Sequence, residues 1–114
     1  MAAVDLEYLE RFCKGDRSRM EKYIRMYLDA SPGLFADLAA KAGSGDAEGL
    51  AVAAHSLRPQ VNYMGAQGLF DTLTTIEGLA RAEGVEGCKE LVDRLPGMNA
   101  EVIAELRAAI GSAG

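Results

Sequence analysis

The chain has 114 residues, with 12 Lys and Arg, 17 Asp and Glu and one His, for a formal charge of −5 at pH 7. That length suits one domain with one modest core, and a content of 49% hydrophobic and 25% charged residues belongs to a folded globular chain. A net negative chain with dispersed basic residues lacks the electrostatic footprint of nucleic-acid binding, and no apolar run reaches the roughly 18 to 20 residues that span a bilayer. The N-terminus, acidic early, has neither the basic nor the apolar region of a signal peptide, so a cytoplasmic protein without nucleic-acid or membrane partners is expected. Cys13 and Cys88 stand far apart in apolar periodic segments and read as reduced core thiols. One histidine and two scattered cysteines do not supply the closely spaced ligands of structural zinc, and no metal site is expected.

Helical periodicity runs along nearly the whole chain, with Ala and Leu dominating the apolar positions and no useful stretch alternating with period two. Val4, Leu6, Leu9 and Phe12 predict a short first helix closed by Gly15. Asp16 or Ser18 can cap a second, whose apolar positions are Met20, Ile24, Tyr27, Leu28, Leu34, Phe35 and Leu38. Pro32 predicts either a kink there or a restart capped by Ser31. A third helix is predicted from Asp46 to about Tyr63, stopped by Met64-Gly65, and a fourth from Ala66 through Leu69, Phe70, Leu73, Ile76 and Ala80 to Gly84. The last section, with Cys88, Leu91, Val92, Leu95, Val102, Leu106 and Ile110 in one phase, is interrupted by Pro96-Gly97 and reads as one broken helix or two short ones. Short connections favour antiparallel neighbours. The expected fold is all-α, an antiparallel up-and-down four-helix bundle with a short extra N-terminal helix, forming a single domain over residues 1–114 with a frayed tail at 111–114.

The third helix carries the only histidine. At ~100° per residue, with Leu57 at zero, Leu50, Ala53, Val61 and Met64 fall within about 40° of it and define a narrow stripe toward the core. His55 falls near +160° on the same wheel and points away from the core. Glu48, Ala51, Val52, Pro59 and Asn62 share its outer face. Ala51 and Pro59, one turn to either side, are compact and leave the imidazole open to approach. Arg58 lies about 60° to one side and can reach toward an anion held at the ring. Spacing alone also admits an ordinary surface histidine.

The segment Ala54-His55-Ser56-Leu57-Arg58, followed by Met64-Gly65-Ala66 and Leu69, resembles the signature of histidine-containing phosphotransfer (HPt) domains. That signature has an aliphatic residue two after the histidine, a Lys or Arg three after and a glycine ten after, met here by Leu57, Arg58 and Gly65. Gly15-Asp16, the Asp29 to Pro32 segment and Gly45-Asp46-Ala47 are also similar to the family, so the resemblance covers nearly the whole chain. One departure is Pro59 where the family usually has glycine, followed by Gln60 where a small residue is common. Pro59 lacks the amide that would bond the carbonyl of His55, at roughly 3 kcal/mol if the helix stayed regular, so a bend at the histidine is predicted.

The resemblance implies a phosphocarrier of a two-component phosphorelay without catalysis of its own. His55 would accept a phosphoryl group on Nε2 from the aspartate of a receiver domain and pass it to another receiver. Response-regulator receivers or a hybrid sensor histidine kinase are the implied partners. No cofactor is expected on this chain, since the Mg²⁺ belongs to the receiver. Arg58, Asn62 and Gln67 are candidates for stabilising the phosphoryl group. Glu48, Ala51, Val52 and Pro59 are candidates for the partner surface, with Met20 and Tyr23 as further contributors, although Met20 continues the core phase. A monomer is expected. A non-phosphorylated adaptor that binds receivers and a purely structural bundle are the alternatives. An autonomous enzyme is disfavoured, because the sequence places no second acid-base group beside His55 and contains no phosphate-cradling Gly-rich loop.

Overall fold

A computed structural model describes residues 3–111 of the chain, so the tail expected to fray at 111–114 lies outside the described residues from 112 on. Five α-helices and one 3₁₀ turn follow in order: α1 (Glu7–Phe12), α2 (Arg17–Gly43), α3 (Ala47–Tyr63), α4 (Gln67–Glu83), a turn over Val85–Cys88 and α5 (Lys89–Ala109). No strand occurs among the described residues. Asp16 caps α2 by accepting from the Arg19 amide, and Asp46 caps α3 by accepting from the Gly49 amide, each satisfying one of the free N–H groups of a first turn.

Helix α2 packs on α3, α3 on α4, α4 on α5 and α5 back on α2. Cross-helix pairs fix the directions. Tyr27 and Ser31 of α2 meet Asn99 of α5 while Ile24 lies nearer Ile110, and Thr72, early in α4, meets Met98 in the middle of α5. These pairs make α2 and α5 antiparallel, and the pairs Glu48–Arg81 and His55–Glu77 do the same for α3 and α4, around a core that includes Leu9, Leu38, Leu50, Leu57, Leu69, Leu73, Ile76, Leu95 and Leu106. Cys13 and Cys88 are both buried and unpaired, and burial is the first cause that pushes the Cys88 thiol pKa up.

Helix α2 runs unbroken through Pro32, and Ser31 does not cap a restart. Ser31 instead sits inside the core stripe Ile24, Tyr27, Ser31, Phe35, Leu38, facing Asn99 in the matching stripe Val92, Leu95, Asn99, Val102, Leu106 of α5. Helix α5 is likewise continuous through Pro96-Gly97. Leu34 is exposed and Met20 only half-buried, so neither belongs to the fully buried core.

The α3–α4 turn depends on Gly65. Its φ is +65°, and a Cβ there would overlap the carbonyl of Asp5, whose amide donates to the Gly65 carbonyl at 3.1 Å. The N-terminal segment is thereby held against the turn, and Glu105 of α5 accepts from the amides of Ala3 and Val4 at 2.6 and 3.0 Å. Only glycine combines the left-handed conformation with that close backbone approach.

Candidate functional site

Helix α3 stays continuous through Pro59, so the bend expected at His55 does not interrupt it. The wheel assigned the outward direction of His55 well: its side chain is 64% exposed. It misplaced one neighbour. Ala51, expected on the partner surface, is fully buried, as is Ala54. Helix α3 is flanked by α2 on one side and α4 on the other, so its covered arc is wider than a single apolar stripe and extends toward α4 through these two alanines. Small side chains let α3 and α4 approach closely, and their modest hydrophobicity left no mark in the periodicity.

That approach brings Glu77 of α4 to the histidine. The two carboxylate oxygens of Glu77 lie 3.2 and 3.1 Å from Nδ1 of His55. Arg58 Nη1 donates to Glu77 Oε1 at 3.0 Å, and Arg81 Nη1 donates to Oε2 at 2.6 Å. Arg81 also approaches Glu48 at 3.8 Å. The Glu77 side chain is 13% exposed. Burial works to raise its pKa, but hydrogen bonds from His55, Arg81 and Arg58 outweigh that effect and hold it below the usual carboxylate range. An ionised carboxylate only accepts hydrogen bonds, so Nδ1 is the donor of this pair, and in the neutral form of the ring it is Nε2 that holds the lone pair. Among the described residues Nε2 has no hydrogen-bond partner. The site is an imidazole on an exposed face with one nitrogen anchored by a carboxylate and the other open.

Arg58 is engaged rather than free. Besides pairing with Glu77, its guanidinium lies 5.1 Å from the centre of the Phe70 ring. Asn62 is exposed about two turns beyond His55 on α3. Gln67 is not brought to the histidine. It sits in the first turn of α4, roughly 15 Å along that helix from Glu77, and donates to Asp71 at 2.8 Å. Glu48, Val52 and Pro59 are exposed, as expected of partner-surface residues.

Glu77 and Arg81 were missed from the sequence, which offered no second acid-base group beside His55. A signal was present: His55 and Glu77 stand equally far from Ala66 at the centre of the turn, and residues placed so face each other in an antiparallel hairpin. Among the described residues no group of three or more His, Cys, Asp or Glu side chains is arranged to hold a metal ion, and no helix is long and apolar enough to cross a membrane.

The family model of the Hpt domain matches residues 22–109, which span α2 from its first turns through to the end of α5 and include the whole His55–Glu77 hairpin. This chain belongs to the Hpt domain family. Hpt domains are phosphocarriers, and membership points to a phosphotransfer role in two-component signalling. Neither a curated protein nor a solved structure matches it. Helix α1, which lies outside the matched span, packs on α2 and completes the Hpt bundle at the end near the α3–α4 turn.

Proposed function

We propose that this Hpt domain carries a phosphoryl group on Nε2 of His55, taken from the aspartyl phosphate of one receiver domain and handed to the aspartate of another. The observation that carries this reading is the anchored, outward-facing ring: Nδ1 is held by Glu77 while Nε2 stands open to solvent on a bundle of the Hpt family. The lone pair of Nε2 attacks phosphorus in line, the acyl phosphate P–O bond breaks, and its electron pair leaves on the receiver carboxylate. The receiver brings the Mg²⁺ that stabilises the phosphoryl oxygens.

The surface around His55 supports a protein partner. Val52, Pro59 and Tyr63 project within about 80° of His55 on α3. Beyond them an exposed aromatic cluster joins α1, α2 and α3, with ring centres 5.7 Å apart for Tyr8–Tyr63, 5.4 Å for Phe12–Tyr63 and 5.7 Å for Phe12–Tyr23. The apolar side can bury a helix face of the receiver, and the Glu48, Arg58 and Arg81 side supplies charge. The protein acts as a cytoplasmic monomer in this reading.

Incubation with a set of phosphorylated receivers tests the proposal. Label should appear on the wild type in acid-labile, alkali-stable form and be absent from His55→Gln. Label retained by the variant, or no transfer from any receiver, refutes it. Tight binding of receivers without transfer favours the adaptor instead.

A further inference from the structure

The carboxylate beneath the histidine does more than aim the ring. We propose that Glu77 is a positioning residue that keeps phosphorylated His55 in its protonated, transfer-competent form. This deepens the phosphotransfer reading and rests on it. When Nε2 forms its bond to phosphorus, the ring retains the Nδ1 proton and becomes a cation. Onward transfer breaks that N–P bond, returns the electron pair to Nε2 and leaves a neutral imidazole, still protonated at Nδ1. No proton need enter or leave in either direction. If the phosphorylated ring instead loses the Nδ1 proton, the leaving group is an imidazolate and the N–P bond becomes inert. A carboxylate at 3.1 Å from Nδ1 opposes that loss, while the phosphoryl group, on the far side of the ring, stays clear of it.

The surrounding charges act on this balance in both directions. From α3, Arg58 and Glu48 face the cluster, and from α4 Arg81 does; Asp37 and Lys41 of α2 lie across the groove that Val52 and Ser56 line on the other side of α3. Among the described residues neither Asp37 nor Lys41 pairs with His55 or Glu77. The two guanidiniums draw on the same carboxylate and weaken its hold on the ring, so removing one of them should strengthen that hold.

Three variants separate the effects. Glu77→Gln keeps an acceptor for Nδ1–H but removes the charge, Glu77→Ala removes both, and Arg81→Gln removes a competitor. Circular dichroism and thermal melts establish that each is folded. The imidazole ¹⁵N shifts of the unphosphorylated proteins are expected to show the Nδ1–H tautomer in wild type and Glu77→Gln, and a mixture in Glu77→Ala. Proteins loaded with phosphoramidate, a small phosphodonor that needs no partner, are then followed for loss of phosphohistidine against pH. At pH 8 the wild type should lose phosphate roughly three- to tenfold faster than Glu77→Gln, as one partly exposed charge pair implies, and the two should converge near pH 5. Arg81→Gln should extend fast hydrolysis to higher pH than the wild type. Superimposable pH profiles for wild type and Glu77→Gln, or an unchanged tautomer in Glu77→Ala, overturn the proposal. The tautomer reading requires no loading, and neither readout uses a receiver, so failure here is distinct from failure of receiver transfer.

Discussion

Asn99→Ala should destabilise the bundle by more than an ordinary polar truncation. Tyr27 Oη donates to Asn99 Oδ1 at 2.7 Å, and Asn99 Nδ2 donates to Ser31 Oγ at 3.2 Å, with all three side chains buried between α2 and α5. Alanine leaves the Tyr27 hydroxyl in the core without its acceptor, at about 1–3 kcal/mol. Ser31 can turn its hydroxyl to the carbonyl one turn back and loses less. With the small cavity added, about 2–4 kcal/mol is expected, or roughly 10 to 20 °C in Tm for a domain of this size. Differential scanning calorimetry of four proteins decides it: wild type, Asn99→Ala, Tyr27→Phe and the double variant Tyr27→Phe with Asn99→Leu. The double variant removes both ends of the bond and should be more stable than Asn99→Ala alone. A double variant at least as unstable as Asn99→Ala would refute the reasoning that the cost is an orphaned hydroxyl. Burial pushes the Tyr27 pKa far above its usual value. Its contribution is therefore fully present below about pH 10 and falls as pH rises above that, a slope that Tyr27→Phe should remove.

Gly65→Ala should cost about 2 kcal/mol or more, because φ is +65° and the new methyl meets the Asp5 carbonyl. A Tm within 2 °C of wild type, read by the same calorimetry, would mean that the N-terminal segment moves away freely. The depressed pKa of Glu77 makes a separate statement about acid. Its stabilising effect is fully present above the unfolded carboxylate value near 4.3 and is lost as pH falls through the lower folded value, so wild type should lose more stability than Glu77→Gln between about pH 5 and 2. Parallel melting curves across that range would contradict it.

Two polar residues at core positions deserve comparison with the site, since both involve pairings that periodicity cannot report. Ser31 and Asn99 occupy helical core phase, yet the first is one candidate for a cap and the second carries no signal until α2 and α5 are laid side by side. In the same way Ala51 and Glu77 have unremarkable neighbours along the chain, and only the close α3–α4 contact shows that the first is covered and the second touches His55. Periodicity reports how one helix divides its faces between apolar and polar. It carries nothing about how many neighbours cover the apolar side.

The sequence by itself determined the helical class, the start of α3 at Asp46, the stop at Met64-Gly65 and the outward direction of His55, and narrowed the cap of α2 to Asp16 or Ser18, because each depends on residues within a turn or two of one another. Tertiary structure decided the chemistry around that histidine. Which nitrogen carries the proton, where the Arg58 charge is spent and which residue anchors the ring all follow from a carboxylate on the next helix, brought within 3.1 Å by alanines small enough to let the two helices close.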